Sequence, residues 1–332
     1  MSKRVCLLNA FTTSALIFVF VALTQAQSNR TFVSADKHAS DKNQCTHDDP
    51  CRSIQRALDA KLLNRDGTVV ILESGDYDPF IISGVINPPT QTSATVEAAP
   101  GVHAGITATG GANTAAITIQ AGATDTVVLR GLTLSVTGNR ADFGIDFQTG
   151  TFFFVESCVV NGFDLAGLRV ARNIANDLAE VSIKDSVFRN MSFRTQGAGT
   201  GRGVLFSNTG SNSKIRVSVD NSRFEQNQTG ILVEDNTFLS MRNSFVAGNT
   251  FGLGAKPSRA LTAELNVENC LVTNNYDGVF SFSATVRVSN STITNNYFGL
   301  DDHGTVFTRG NNTVEGNANL NCFCGGATFA AK

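Results

Sequence analysis

The feature that most constrains this chain is a short motif that returns with nearly fixed spacing. VDNSRFEQNQTGI (219–231), MRNSFVAGNTFGL (241–253), VENCLVTNNYDGV (267–279) and VSNSTITNNYFGL (288–300) share a hydrophobic-x-Asn-Ser/Cys start and an Asn-x-x-Gly-hydrophobic close. RGNNTVEGN (309–317) is a partial copy. The Ser/Cys column runs through 222, 244, 270, 291 and 312, in steps of 22, 26, 21 and 21 residues. Weaker copies lie upstream around Ser186, Cys158 and Gly131-Leu132-Thr133-Leu134, and the Gly-rich TQGAGTGRG (195–203) fills the longer step from Ser186 to Ser222. A period of about 21–26 residues without helical spacing fits one turn of a β-solenoid. Within each unit the apolar runs are too short to nucleate a helix. Leucine-rich repeats would show Leu at fixed offsets with a helical half, and a propeller blade would be about twice as long.

Stacking explains the columns, because equivalent positions in successive coils lie about 4.8 Å apart. One column reads Asp185, Asn221, Asn243, Asn269, Asn290 and Asn311, and a second reads Asn227, Asn249, Asn275, Asn296 and Asn317. Asn tolerates the left-handed backbone of tight bends and can pass amide hydrogen bonds from coil to coil. Both columns therefore read as structural, with Asn221, Asn243, Asn269, Asn290 and Asn311 as the asparagine ladder. A third column, Val160, Phe188, Phe224, Val246, Val272, Ile293 and Val314, supplies the core. The fold class this predicts is all-β, a single-stranded parallel β-helix of about ten coils with three short strands in each.

Composition narrows the function. Among 332 residues, 16% are charged, 42% are hydrophobic and the net charge is −2. A nucleic-acid binder needs a basic face, so that class is excluded. The apolar content excludes a disordered chain. Lys3 and Arg4, the apolar stretch 15–23 and Thr24-Gln25-Ala26 have the layout of a secretory signal peptide, cleaved after residue 26. The apolar stretch is shorter than the ~20 residues a spanning helix needs, and no second such run follows, so the mature chain is expected in the periplasm or outside the cell. Export places Cys45, Cys51, Cys158, Cys270, Cys322 and Cys324 in an oxidising compartment. Cys45 and Cys51 bracket a short polar loop and are expected to pair. Cys158 and Cys270 lie four coils apart, roughly 19 Å, and are expected as buried free thiols. Cys322 and Cys324 read as part of a terminal cap whose pairing stays open.

With these motifs the chain resembles the right-handed parallel β-helix proteins of the pectin-lyase-like superfamily, over roughly residues 31–318. The resemblance extends to the N-terminal part: Thr31-Phe32-Val33 as a first strand, the Cys loop, and an amphipathic capping helix with Ile54, Leu58 and Leu62 on one face. The expected organisation is a leader (1–26), an N-terminal cap (27–66), the β-helix (67–318) and a C-terminal tail or cap (319–332). Members of the superfamily include polysaccharide lyases, glycoside hydrolases, epimerases and binding proteins, so the resemblance implies carbohydrate without fixing chemistry. Its hydrolases use several Asp on neighbouring coils with a His and an Arg-x-Lys nearby. Asp301-Asp302-His303, directly after Gly299-Leu300, is the candidate catalytic set, but one coil earlier stand Phe280, Ser281 and Phe282, and no Arg-x-Lys follows.

Binding candidates are Tyr276 and Tyr297, one period apart, and Glu234 with Lys256, which fall at the fourth position after successive glycines and are expected to form a surface ion pair. No metal or cofactor motif is found: known zinc spacings need a second ligand pair beyond the Cys45–Cys51 loop. The expectation is an exported, non-catalytic β-helix protein with polysaccharide as its candidate partner. The alternative is a carbohydrate-active enzyme, a lyase or glycoside hydrolase. The oligomeric state is not legible.

Overall fold

The computed structural model describes residues 30–61, 67–84, 93–138, 141–191, 201–258, 261–323 and 328–329. The leader, Leu62 and Cys324 lie outside them. Each coil has three strands, and coils stack in parallel to form three sheets. Among the described residues the short sheet has ten strands, from Gly75–Tyr77 to Thr313–Val314. The long sheet includes Phe152–Glu156, Leu178–Lys184, Lys214–Asp220, Thr237–Arg242 and Ala263–Glu268. A third, here the glycine sheet, includes Ala166–Arg172, Arg202–Asn208, Thr229–Val233 and Phe251–Ala255. Two strands, Asp277–Ser289 and Phe298–Arg309, run on from the glycine sheet into the long sheet.

The sequence columns coincide with the register. Arg223, Phe245, Leu271, Thr292 and Thr313 pair in turn, so each repeat sits on the next without slip. Val160, Phe188, Phe224, Val246, Val272 and Ile293 are all fully buried, and Phe188 stacks on Phe224 at 5.5 Å between ring centroids. A buried side chain of this size contributes roughly 1.5–3 kcal/mol by transfer from water. Close approach dictates the glycine column: a Cβ on Gly230 would lie 2.5 Å from the Gly252 carbonyl oxygen, and one on Gly278 would lie 2.6 Å from that of Gly299.

The two Asn columns do different work. Asn221, Asn243, Asn269 and Asn290 turn the bend into the short sheet with φ between 45° and 51°, and their side chains are exposed. Their bonds run along the outside, as from Asn269 Nδ2 to Asn243 Oδ1 at 2.7 Å. The inner ladder is the second column. Asn249 N–H donates to Asn275 Oδ1 at 3.0 Å and Asn275 N–H to Asn296 Oδ1 at 2.9 Å, while Asn249 Nδ2 donates to Phe224 O at 3.0 Å. Asn227, Asn249, Asn275 and Asn296 are buried, so these amides satisfy backbone groups that bends would otherwise orphan.

A hydroxyl ladder runs beside the outer column. Ser222 N–H donates to Ser244 Oγ at 3.1 Å, and Ser244 Oγ donates to Arg242 O at 2.7 Å. Cys158 and Cys270 occupy the same column as buried free thiols; their N–H groups donate to Ser186 Oγ and Ser291 Oγ, each at 3.1 Å.

The parallel ladder begins ahead of residue 67. Arg30–Val33 pairs with Gly67–Ile71, and its other edge is covered by the Cys45–Cys51 disulfide loop. Phe32 N–H donates to Cys45 O at 2.9 Å, and Cys51 N–H donates to Phe32 O at 3.0 Å. This loop takes the place of a further coil and hides a sheet edge. Helix Ile54–Lys61 lies over the same end with Ile54, Ala57 and Leu58 buried, and Ser53 Oγ caps it by accepting from Arg56 N–H at 3.2 Å. At the other end Leu320–Phe323 pairs with the start of Phe298–Arg309, so the ladder passes residue 318. Cys322 is disulfide-bonded.

Candidate functional site

The outer face of the glycine sheet gathers most of the residues the sequence singles out. Strand pairing aligns Glu234, Lys256, Phe282 and His303 in one outward row, each a coil from the next. Lys256 directs its ammonium at the Phe282 ring, with Nζ 5.4 Å from the centroid, which is cation–π range. Phe282 stacks on His303 at 4.8 Å, and His303 continues to Phe323 at 5.5 Å. The expected Glu234–Lys256 ion pair is not made among the described residues. Burial pushes the Glu234 carboxyl up, against the pull of the Arg202 guanidinium and a weaker pull from Lys256.

The three residues of the candidate catalytic set part company. Asp301 Oδ1 and His303 Nε2 are 3.2 Å apart on the outer face. Asp302 instead serves its turn, where Oδ1 accepts from Gly304 N–H at 3.0 Å. The carboxyl that joins Asp301 and His303 electrostatically is Asp277. It is 7% exposed and its Oδ1 has no hydrogen-bond partner among the described residues. Desolvation, with a smaller push from Asp301, raises it from the ordinary 3.8 to about 6, against the pull of His303. The signal for Asp277 is present in the repeat: NTFGL and NYFGL carry Phe where NYDGV carries Asp. Arg202, whose buried Nε also lacks a partner among the described residues, stands three coils earlier in the same strand-start column.

At the edge of this face Tyr276 and Tyr297 stack at 4.8 Å with rings only 10° apart. They are 51% and 41% exposed, and Phe298 meets both edge-on. Among the described residues no three His, Cys, Asp or Glu side chains converge as metal ligands would.

Parallel coils, three sheets, an inward asparagine ladder and a capped first coil define a right-handed parallel β-helix. No family model matches the chain, and no curated protein matches its sequence. Solved structures do. Pectate lyase Pel9A aligns with a TM-score of 0.50 at 13% identity, over 84% of this chain and 68% of that one. XylC, solved in complex with xylose, aligns with a TM-score of 0.54 at 8% identity, over 85% of this chain and 67% of the other. At such identities the likeness is one of fold.

Proposed function

We propose that this chain is an exported, non-catalytic β-helix protein that holds a polysaccharide across the outer face of the glycine sheet. The observation that carries the reading is the Tyr276–Tyr297 pair: two exposed, nearly coplanar rings one coil apart. Such rings offer apolar faces to the C–H face of a sugar, while Phe282 and His303 extend the aromatic surface over the same coils. A sugar-related role is also supported by structural neighbours that are a pectate lyase and a xylose-bound protein. Export rests on the leader-like residues 1–26. Among the described residues no helix is long and apolar enough to cross a membrane.

Affinity electrophoresis of residues 27–332 in gels containing acidic or neutral polysaccharides tests binding. Retardation by at least one polymer is expected, with Tyr276→Ala and Tyr297→Ala each weakening it about tenfold. Mobility unchanged in every gel would remove the proposal.

A carbohydrate-active enzyme is the second reading, and Asp277, a buried carboxyl raised to about 6 in the field of Asp301 and His303, favours it. Glycoside hydrolysis needs two carboxyl groups in different protonation states. Incubation with the same polymers, scored for unsaturated products and new reducing ends, separates the readings. Product formation abolished about 10³-fold by Asp277→Asn, the loss expected of a needed acid or base, would make it an enzyme. Asp302→Asn should stay within a few-fold of the parent on either reading, since Asp302 faces its own turn.

A further inference from the structure

A cleft runs along the outer face of the long sheet, away from the aromatic face. Two contiguous hollows of about 570 and 680 Å³ share Ser182, Ser218 and Ser240. These serines are in register, one per coil, and Asn266 continues their row. From Phe154 to Phe307 the row crosses six strand spacings, roughly 29 Å. No protein partner is found for the Ser182, Ser218 and Ser240 hydroxyls among the described residues, so the floor is a line of free donors and acceptors.

The rails are charged and partly self-paired: Arg216, Arg242 and Arg287 hold carboxylates, while Lys184, Lys214 and Arg309 make no ion pair among the described residues. Along one side Lys184, Asp220, Arg242 and Glu268 alternate in sign from coil to coil, with Arg242 Nη2 2.9 Å from Asp220 Oδ2. On the other, Arg216 pairs with Glu180 at 3.2 Å. Further along, Arg287, which follows Asn266 in the floor row, reaches across to Glu264 at 2.7 Å. Phe238 lies in the flanking row between Arg216 and Glu264, with Lys214 5.9 Å from its ring, and Phe307 ends the serine row.

We propose that this serine-floored cleft is a second binding site, for a neutral linear polysaccharide segment lying along the helix axis. A hydroxyl both donates and accepts, so a polyhydroxylated chain can bond to carboxylate and guanidinium in alternation. A polyanion would meet Asp220 and Glu268 and would have to displace the carboxylates already held by Arg216, Arg242 and Arg287. An extended peptide gains nothing by strand addition, because the strands beneath are already paired on both sides. The phenyl faces supply apolar platforms. This site shares no residue with the aromatic face, so either can fail alone.

The chain has no Trp and three Tyr, so Phe238→Trp introduces a single indole within the cleft that can be excited selectively at the red edge, where Tyr does not absorb. Titration of that variant with cellohexaose or xylohexaose should give a saturable emission shift. Its midpoint should move less than about twofold between roughly 0.05 and 0.5 M NaCl, since screening acts on net charge interactions. Adding Ser218→Phe should abolish the shift, whereas Tyr276→Ala should leave it intact. If Phe238→Trp does not fold, calorimetric titration of the parent and of Ser218→Phe gives the same comparison. No response to either neutral hexasaccharide overturns the proposal. So does a response to hexagalacturonate that collapses with salt, or an emission that depends on protein concentration alone, which would assign the cleft to a second copy.

Discussion

Asp277 shows how one residue can depart from a repeat and change its chemistry. Its column holds Thr229, Phe251 and Phe298 in neighbouring coils, and an acid set among such neighbours loses hydration. Because its folded value is about 6 against an ordinary 3.8, the native state retains a proton that the unfolded chain releases. Stability from this group is thus full below about pH 4 and declines as pH rises through 6. Asp277→Asn should raise the melting temperature at pH 7–8 by a few degrees and flatten its decline between pH 4 and 6. Parallel melts of parent and variant check this; a lower midpoint at pH 8 would mean the ionised carboxylate is needed. At Cys158 and Cys270 burial pushes the thiols up to about 11, so neither should alkylate in the native protein at pH 8. Cys158→Ser should cost no more than about 1 kcal/mol, since its column accepts Ser in four other coils and a volume-conserving change costs little. Both thiols were legible in the sequence through their column. The push of Asp301 on Asp277 was not, because it depends on which strand face each residue takes.

At the scale of the element, the two asparagine columns look alike in sequence yet face opposite ways. Both are Asn because both bends need a residue that accepts unusual backbone or supplies an amide. Only three-dimensional placement tells an exposed left-handed corner from a buried ladder. The outer column works through φ, so Asn269→Gly should change stability by only a few tenths of a kcal/mol. The inner column works through its amide. Asn275→Gly would leave Asn249 N–H and buried carbonyls unpaired, each at about 1–3 kcal/mol. Urea melts of the two variants should therefore differ widely, and equal losses would show that the inner amides are dispensable. The repeat was legible because stacking forces identical neighbours into a strict period. Pairing of charges across the long sheet was less so, since Lys184, Asp220 and Arg242 alternate only once the coils are in register. Asp301, Asp302 and His303 read as one cluster in sequence, whereas strand alternation sends Asp302 to the turn.

The whole molecule is a rod in which each coil touches only its neighbours, so stability should be distributed along it rather than pooled in one core. Its first coil is the test case. Arg30–Val33 has a coil on one side only, and its free edge is closed by the Cys45–Cys51 loop through Phe32 N–H and O. Helix Ile54–Lys61 then covers the apolar end beneath it. A disulfide acts by restricting the unfolded segment, typically by ~2–4 kcal/mol, and here that restriction is local to the cap. Reduction should free the loop, expose the strand edge and loosen Gly67–Ile71 next, while Lys214–Asp220, five coils further on, stays anchored by neighbours on both sides. Native-state hydrogen exchange of oxidised and reduced protein reads this directly. Amides of Thr31–Val33 and Val69–Ile71 should exchange at least tenfold faster after reduction, with those of Val217–Val219 unchanged. Equal acceleration throughout would mean that the rod opens as a single unit, and that its ends hold the middle together.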